Sequence, residues 1–205
     1  MARDLQSIVK MSRREGYALH PKAHKALVKR PSPPGQQAAN ARPSKPSQYA
    51  QQLREKQKVK RLYGLLERQF AKLMREASRR QGQSGEILLQ MLELRADNTV
   101  YRAGFAPSRR AARQLVSHGH FLLNGNRIDI PSIQMKIGDV LQFRPHSLNS
   151  DYFKHLDDVS AVPNTYPAWI KVNRKKGEVS VSSLPTRDDA ELDINEQLIV
   201  EYYSR

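Results

Sequence analysis

The chain has 205 residues, with 35 lysines and arginines against 20 aspartates and glutamates, so its formal net charge is +15 at pH 7. Such an excess repels itself unless a polyanion neutralises it, which predicts a polyanionic partner. The absence of cysteine excludes disulfides, thiolate metal sites and a cysteine nucleophile. No apolar run approaches the roughly 20 residues of a membrane helix, and residues 1–20 lack the apolar core of a signal peptide. We therefore expect a cytoplasmic protein, or one in the organellar stroma if an organelle encodes it.

The positive charge is concentrated at the start of the chain. Residues 1–81 contain 20 basic and 5 acidic side chains, whereas residues 82–205 contain 15 of each. A second basic segment, Arg95 to Arg127, holds six arginines and one acid, and acids outnumber bases beyond Ile128. This distribution predicts a basic N-terminal body, an arginine-rich segment and a mildly acidic C-terminal region.

The segment from Lys29 to Ser47 is rich in proline and poor in large apolar side chains. Because it cannot bury a core, it is predicted to be an extended arm. Its composition fits a disordered linker and an arm that becomes ordered on RNA equally well.

After Ser47, a candidate N-cap, apolar residues recur at three- and four-residue steps as far as Gly82. This pattern predicts two helices that meet near Gly64. The faces of these two helices outside the apolar stripe carry ten bases and three acids. A solvated helix face normally mixes charges of both signs, so a merely soluble surface is the weaker interpretation. The bases are Arg54, Lys56, Lys58, Lys60, Arg61, Arg68, Lys72, Arg75, Arg79 and Arg80.

Three shorter helices are predicted next, capped by Ser84, Asp97 and Ser108, the last of them ending before Gly119. The apolar period then changes, and Asn124-Gly125 predicts a tight hairpin turn. Further strands are predicted at 131–135 and 140–143, on either side of a turn at 138–139, and at 169–172 and 178–182. Residues 147–159 fit a helix or a packed loop, and 194–205 fit a helix or a strand. Short helices followed by small strands indicate a compact α+β unit.

The arginine-rich segment is the most specific feature. Arg109, Arg110 and Arg113 occupy the first two turns of a predicted helix, whose free N–H groups also favour phosphate. If the strands pack beneath this helix, the hairpin brings Asn124 and Arg127 to the same side. A helix paired with a hairpin suits the shape of folded RNA, although an arginine-rich surface without a partner remains the alternative.

The stretch DNTVYRAGFAPSRRAARQLVSHGHFLLNGNRIDIPSIQMKIGDVLQF resembles the S-four RNA-binding domain: an arginine-rich helix, a hairpin with an N-G turn, and a G-D turn. Several families share this domain, including some pseudouridine synthases, tyrosyl-tRNA synthetases and a heat-shock protein. Alone, this resemblance implies RNA binding and nothing more specific.

Other segments narrow the resemblance. They are SRREG, PPGQ, QLREKQKVKRLYGLLERQF, SGEILLQMLELRADNTVYRAGF, the P-x-W-I pattern at 167–170 and the closing DINEQLIVEYYSR. Together they resemble the bacterial-type ribosomal protein S-four family along nearly the whole chain. The fold implied is α+β: a basic N-terminal arm, a mostly α-helical domain, and a small S-four domain with a twisted five-stranded antiparallel sheet. The domains expected are residues 1–47, then 48–94 completed by 185–205, and 95–184.

The resemblance implies a structural constituent of the small ribosomal subunit that binds the 5′ domain of 16S rRNA and nucleates assembly. It also implies a place near the mRNA entrance, contact with ribosomal protein S-five and other subunit proteins, and an influence on decoding accuracy. Arg42 and Lys45 fall near incoming mRNA, and Asn195, Glu196, Tyr202 and Tyr203 at a protein interface. The predicted rRNA contacts are Arg13, Arg14, Lys22, Tyr49, Gln52, Arg54, Lys56, Lys58, Arg61, Arg68, Arg109, Arg110, Arg113, Gln114, Ser117, His118, Asn124, Gly125 and Arg127.

Enzymatic readings are weaker. The six histidines are scattered, and the closest pair, His118 and His120, lacks further ligands, so no metal or other cofactor is expected. No glycine-rich phosphate loop occurs, and Trp169 is predicted to be a core residue. An RNA-modifying enzyme or a non-ribosomal RNA chaperone with the same small domain is the rival interpretation. The first leaves no room for a catalytic domain, and the second leaves SRREG and QLREKQK unexplained. Neither a membrane nor a small-molecule substrate is expected.

Overall fold

The computed structural model describes residues 4–35, 45–163, 165–191 and 193–204. These residues fall into two compact units: the first lies within Met1–Leu88 and Asp193–Arg205, and the second within Leu89–Leu192. The helices are α1 Ile8–Glu15, α2 Pro21–Lys29, α3 Gln48–Leu62, α4 Glu67–Arg79, α5 Ser84–Glu93, α6 Ala96–Arg102, α7 Arg109–Ser117, α8 Asp151–Lys154, α9 Leu156–Val159 and α10 Glu196–Tyr203. The strands are β1 Phe121–Leu123, β2 Asn126–Ile128, β3 Val140–Phe143, β4 Ile170–Asn173 and β5 Glu178–Val181.

The first unit is built around α3 and α4. Ser47 caps α3, because its hydroxyl accepts a hydrogen bond from the amide of Ala50. The chain then turns at Gly64, whose φ of +66° lies in the left-handed region that glycine adopts without strain. The predicted pair of helices meeting near Gly64 is therefore confirmed, and α10 packs against α3 to complete the unit.

The N-terminal extension contains more structure than its sequence predicted. Residues 4–35 include α1 and α2, and α1 ends at Gly16 in the left-handed conformation. Met11, Leu19 and Ala23 are buried, and α1 packs against both α2 and α3. No helices had been assigned to residues 1–29 from the sequence. The predicted arm lies partly in residues 36–44, outside the described residues.

The second unit carries a five-stranded antiparallel sheet in the order β2-β1-β3-β5-β4. Asn124 and Gly125 connect β1 and β2 with φ values of +49° and +84°, as a two-residue hairpin turn requires. The sheet packs against α6 and α7 around a core that includes Phe105, Phe121 and the fully buried Trp169. The predicted α+β fold, with its helical part and its five-stranded antiparallel sheet, is confirmed.

Three local predictions were wrong. Residues 131–135 form no strand, and only a single bridge joins Gln134 to Arg95. Asp97 lies inside the first turn of α6, where its carboxylate binds arginines instead of capping the helix. Ser84 is the first residue of α5 and not the residue before it. Residues 147–159 form a short 3-10 turn followed by α8 and α9, and the tail is helical.

Candidate RNA interface

The outer face of α7 gathers several of the predicted contacts. Ser108 caps this helix by accepting a hydrogen bond from the amide of Ala111, as predicted. The buried residues Ala112, Leu115 and Val116 fix the inner face, so the opposite face is exposed. We call this exposed set the α7 face, and it consists of Arg110, Gln114, Ser117 and His118.

Arg127 extends the α7 face beyond the end of the helix. Its guanidinium lies over Gly119, where a Cβ atom would come within 2.5 Å of Arg127 Nε. Gly119 therefore supplies space as well as a φ of +72°, and it lets the β2 side chain approach the helix end. Asn124 instead joins the β1–β2 hairpin to the start of β3, because its side chain donates to Asp139 and accepts from the amide of Val140.

Arg109 and Arg113 are held inside the second unit. Arg113 pairs with Asp97 at 2.7 Å, and Arg95 pairs with the same carboxylate at 3.1 Å. Asp97 is only 4 % exposed, so it depends on these two cations. Both predicted contacts on this side of α7 therefore serve the packing of α7 on α6.

Arg109 belongs to a second internal network. It donates a hydrogen bond to Asn98 Oδ1 at 2.9 Å, pairs with Glu191 at 3.2 Å and lies over the ring of Tyr101. Arg102 joins the same network by pairing with the buried Glu93. The acids of the second unit thus determine which of its arginines face outward.

The bases of α3 are also paired internally. Lys56 is 3 % exposed, pairs with Glu67 at 2.9 Å and lies 4.4 Å from the ring centroid of Tyr202. Lys60 pairs with the same glutamate at 3.0 Å. Gln52, also buried, donates a hydrogen bond to Glu201. The predicted contacts Gln52 and Lys56 are therefore not on the surface of the first unit.

Glu67 connects α4 to α3 and α10. Burial opposes its ionisation, but hydrogen bonds from Lys56, Tyr203 and Lys60 outweigh this effect and lower the pKa of Glu67 to about 2. Burial and the same contact raise the pKa of Tyr203. Its hydroxyl donates to Glu67 at 2.7 Å. Tyr202 and Tyr203, predicted for a protein interface, therefore help to hold α10 in the first unit.

Glu15 plays a similar role for two further predicted contacts, Arg61 and Arg54. The carboxylate has no exposed surface and pairs with both arginines. Burial raises the pKa of Glu15, and the two arginines oppose that rise. Arg61 is mostly buried, whereas the side chain of Arg54 remains 53 % exposed and reaches Glu15 only at 3.4 Å. Arg54 is thus the one of the pair that faces solvent.

The remaining predicted residues are divided between paired and exposed positions. Arg13 donates to the carbonyls of Ser32 and Pro33. Lys58 pairs with Glu55 and bonds the carbonyl of Asp193, while Asn195 caps α10. Arg42 lies outside the described residues. The exposed ones are Arg14, Lys22, Lys45, Tyr49, Arg68 and Gly125, and Glu196 is partly buried.

Sequence reasoning missed most of a basic stripe on α4. Arg68, Lys72, Arg75 and Arg79 are all exposed, and among the described residues none of them forms an ion pair. We call these four residues the α4 stripe, of which only Arg68 was predicted as a contact. Their spacing of four, three and four residues was a readable signal, because it places them opposite the buried Phe70, Met74 and Ala77.

Within the described part of the chain, no group of three histidine, aspartate or glutamate side chains is arranged to hold a metal ion. None of the helices described there is both long and apolar enough to cross a bilayer.

Comparison with known proteins identifies the family to which this chain is similar. The model of the ribosomal protein S4/S9 N-terminal domain matches residues 3–93, and the S4 domain model matches residues 94–141. Three full-length relatives carry the name small ribosomal subunit protein uS4. Those of Chloroflexus aurantiacus, Herpetosiphon aurantiacus and Chlorobium limicola are 51%, 47% and 47% identical to this chain, with 100% of each chain covered.

The fold and these matches define an RNA-binding ribosomal protein that carries an S-four domain on a helical N-terminal body. The chain belongs to the uS4 family of small ribosomal subunit proteins. This family consists of non-enzymatic ribosomal proteins, so the rival reading of an RNA-modifying enzyme is excluded.

Proposed function

We propose that this chain is a primary binder of the 5′ domain of 16S rRNA and nucleates assembly of the small subunit there. The observation that carries the proposal is uncompensated charge in the first unit. Every glutamate described between residues 4 and 80 pairs with a base. Among the bases described in the same range, the exposed ones that form no ion pair are Lys10, Arg14, Lys22, Lys25, Lys29, Arg30, Lys45, Arg68, Lys72, Arg75 and Arg79.

Phosphate is the ligand chemistry that such a surface fits. Cations without acidic partners gain most from a polyanion, since binding releases condensed counterions into solution. The second unit contributes the α7 face and Arg127, where arginines adjoin a hairpin in the manner of shape-based RNA recognition. We keep the predicted domains 1–47, 48–94 with 185–205, and 95–184 as functional parts within this proposal.

The finer placement within the ribosome is also proposed. Exposed Lys45, just before α3, together with Arg42, supports a position near incoming mRNA. Asn195 and Glu196 at the start of α10 support a contact with ribosomal protein S-five, through which the chain would influence decoding accuracy. The ribosome concerned is the cytoplasmic one.

The test is binding of the full chain to an RNA fragment of the 5′ domain, with a fragment of the central domain as control. We expect tight binding to the first fragment alone, with a log–log salt slope of about −0.9 for each duplex phosphate neutralised. Equal affinity for both fragments would overturn the 5′-domain assignment. A flat salt dependence would overturn the electrostatic basis.

A further inference from the structure

The α4 stripe lies on one side of a single helix. At about 100° per residue, its four residues fall within an arc of about 60°. The centre of that arc is opposite the buried Phe70, Met74 and Ala77, so packing of the inner face holds the stripe outward. At about 1.5 Å per residue, the stripe is about 16 Å long.

The neighbouring acids do not neutralise the stripe. Glu76 pairs with Arg80 at 2.7 Å, and Glu67 pairs with Lys56 and Lys60 of α3. The exposed stripe therefore presents four positive charges in a row. Because an exposed helix face ordinarily intersperses both signs, this arrangement has a cost in self-repulsion that a polyanion would remove.

The kind of partner follows from what α4 lacks. Its one aromatic residue, Phe70, is fully buried, so the helix offers no platform on which an unpaired base would stack. The exposed large apolar side chains of the described chain all lie outside α4, and a protein interface would need an apolar centre. Three of the four cations are arginines, whose planar guanidinium groups match phosphate oxygens.

We propose that the α4 stripe of the first unit binds the sugar–phosphate backbone of an RNA duplex. This inference rests on the proposed function and deepens it, since it assigns a duplex backbone to Arg68 and to three residues, Lys72, Arg75 and Arg79, that were not among the predicted contacts. The stripe positions the RNA without reading its sequence, because phosphate contacts carry no base information.

The first experiment measures the salt slope of binding to the 5′-domain fragment. The variant carries Arg68→Gln, Lys72→Gln, Arg75→Gln and Arg79→Gln, and the control carries Lys175→Gln with Lys176→Gln in the exposed turn between β4 and β5. We expect the slope of the variant to become shallower by about 3.6, or about 0.9 per lost phosphate contact. The control should change it by less than one unit.

The second experiment locates the RNA directly. Since the chain has no cysteine, Arg75→Cys provides a single attachment point for a tethered iron chelate that cleaves nearby backbone. We expect cuts on both strands of one helical segment, and different or no cuts from Lys175→Cys. Cuts confined to a single-stranded loop would overturn the assignment to a duplex.

The outcomes separate this inference from the proposed function. If the wild type fails to bind the 5′-domain fragment, the proposed function fails. If the wild type binds and the fourfold variant keeps the same slope and a similar melting temperature, the stripe is not an RNA contact. If the variant binds RNA normally but is lost from assembled subunits, the stripe faces a protein, which also overturns the inference.

Discussion

Helices α3 and α4 are consecutive and similarly basic, yet they use their charge differently. Lys56 and Lys60 of α3 both pair with Glu67, and Lys58 pairs with Glu55. The α4 stripe has no such acids and faces solvent. Lys56, Lys58 and Lys60 of α3 therefore stabilise the first unit, whereas the α4 stripe is available to a partner.

The same contrast occurs within α7 of the second unit. Arg109 and Arg113 pair with Glu191 and Asp97, while Arg110 lies on the exposed face. Adjacent arginines in one helix thus divide between structure and surface. In both units, the position of the nearest acid determines which role a basic residue has.

The largest expected effect concerns the arginines that are paired with a buried acid inside the second unit. Asp97→Ala removes the carboxylate that Arg95 and Arg113 share, and Arg95 is itself only 4 % exposed. An uncompensated buried charge costs about 3–5 kcal/mol, so the free energy of unfolding should fall by that amount. Urea denaturation measures it. The exposed Asp129→Ala is the control, and equal stability of the two variants would show that Asp97 does not hold these arginines.

Lys56→Ala should lower the free energy of unfolding by about 2 kcal/mol. It removes a buried side chain, its ion pair with Glu67 and its contact with the Tyr202 ring. Lys72→Ala, a matched change on α4, should stay within about 0.5 kcal/mol because the side chain is exposed. If Lys72→Ala were the more destabilising change in urea, the assignment of α3 to structure and α4 to binding would be reversed.

Sequence reasoning predicted the fold, whereas the interface residues remain predictions. Turn and cap chemistry is local, so Gly64, Ser108 and Asn124-Gly125 could be read from a few neighbouring residues. Charge pairing is not local: Arg109 meets Glu191, which lies 82 residues further along the chain. The number of bases can therefore be read from the sequence, but which of them pair with acids cannot.

The features that the sequence does not reveal have different physical causes. Lys56 remains a predicted contact, but its burial depends on Tyr202 of α10, which is distant in the sequence. Lys72, Arg75 and Arg79 were recognised as bases of a helix face but were not among the predicted contacts, because those followed the family resemblance. The predicted strand at 131–135 does not form, because this segment pairs with Arg95 through a single bridge and not through a continuous β-ladder.

Glu67→Gln should show a smaller loss that depends on pH. Its folded pKa of about 2 is below the ordinary value of 4.5, so the ionised carboxylate stabilises the fold above pH 4.5. Because the side chain is 44% exposed, we expect about 1 kcal/mol at neutral pH, well below the full shift. The difference between wild type and variant should shrink as pH falls from 4.5 towards 2. A difference that grew on acidification would contradict this role, and exposed Glu86→Gln serves as the control.

The smallest expected effect tests α4 itself. Glu76 lies beside the stripe and forms an exposed i,i+4 pair with Arg80. Because such pairs contribute about 0.3–0.5 kcal/mol, Glu76→Gln should hardly change the midpoint of urea unfolding. Its charge change adds to the positive potential of the stripe, so RNA should bind up to about threefold more tightly at low salt, with the gain lost at high salt. Titration of the 5′-domain fragment at two ionic strengths measures this. Weaker binding at low salt would mean that Glu76 or its pair with Arg80 contributes to the contact, and that charge alone does not explain how α4 differs from α3.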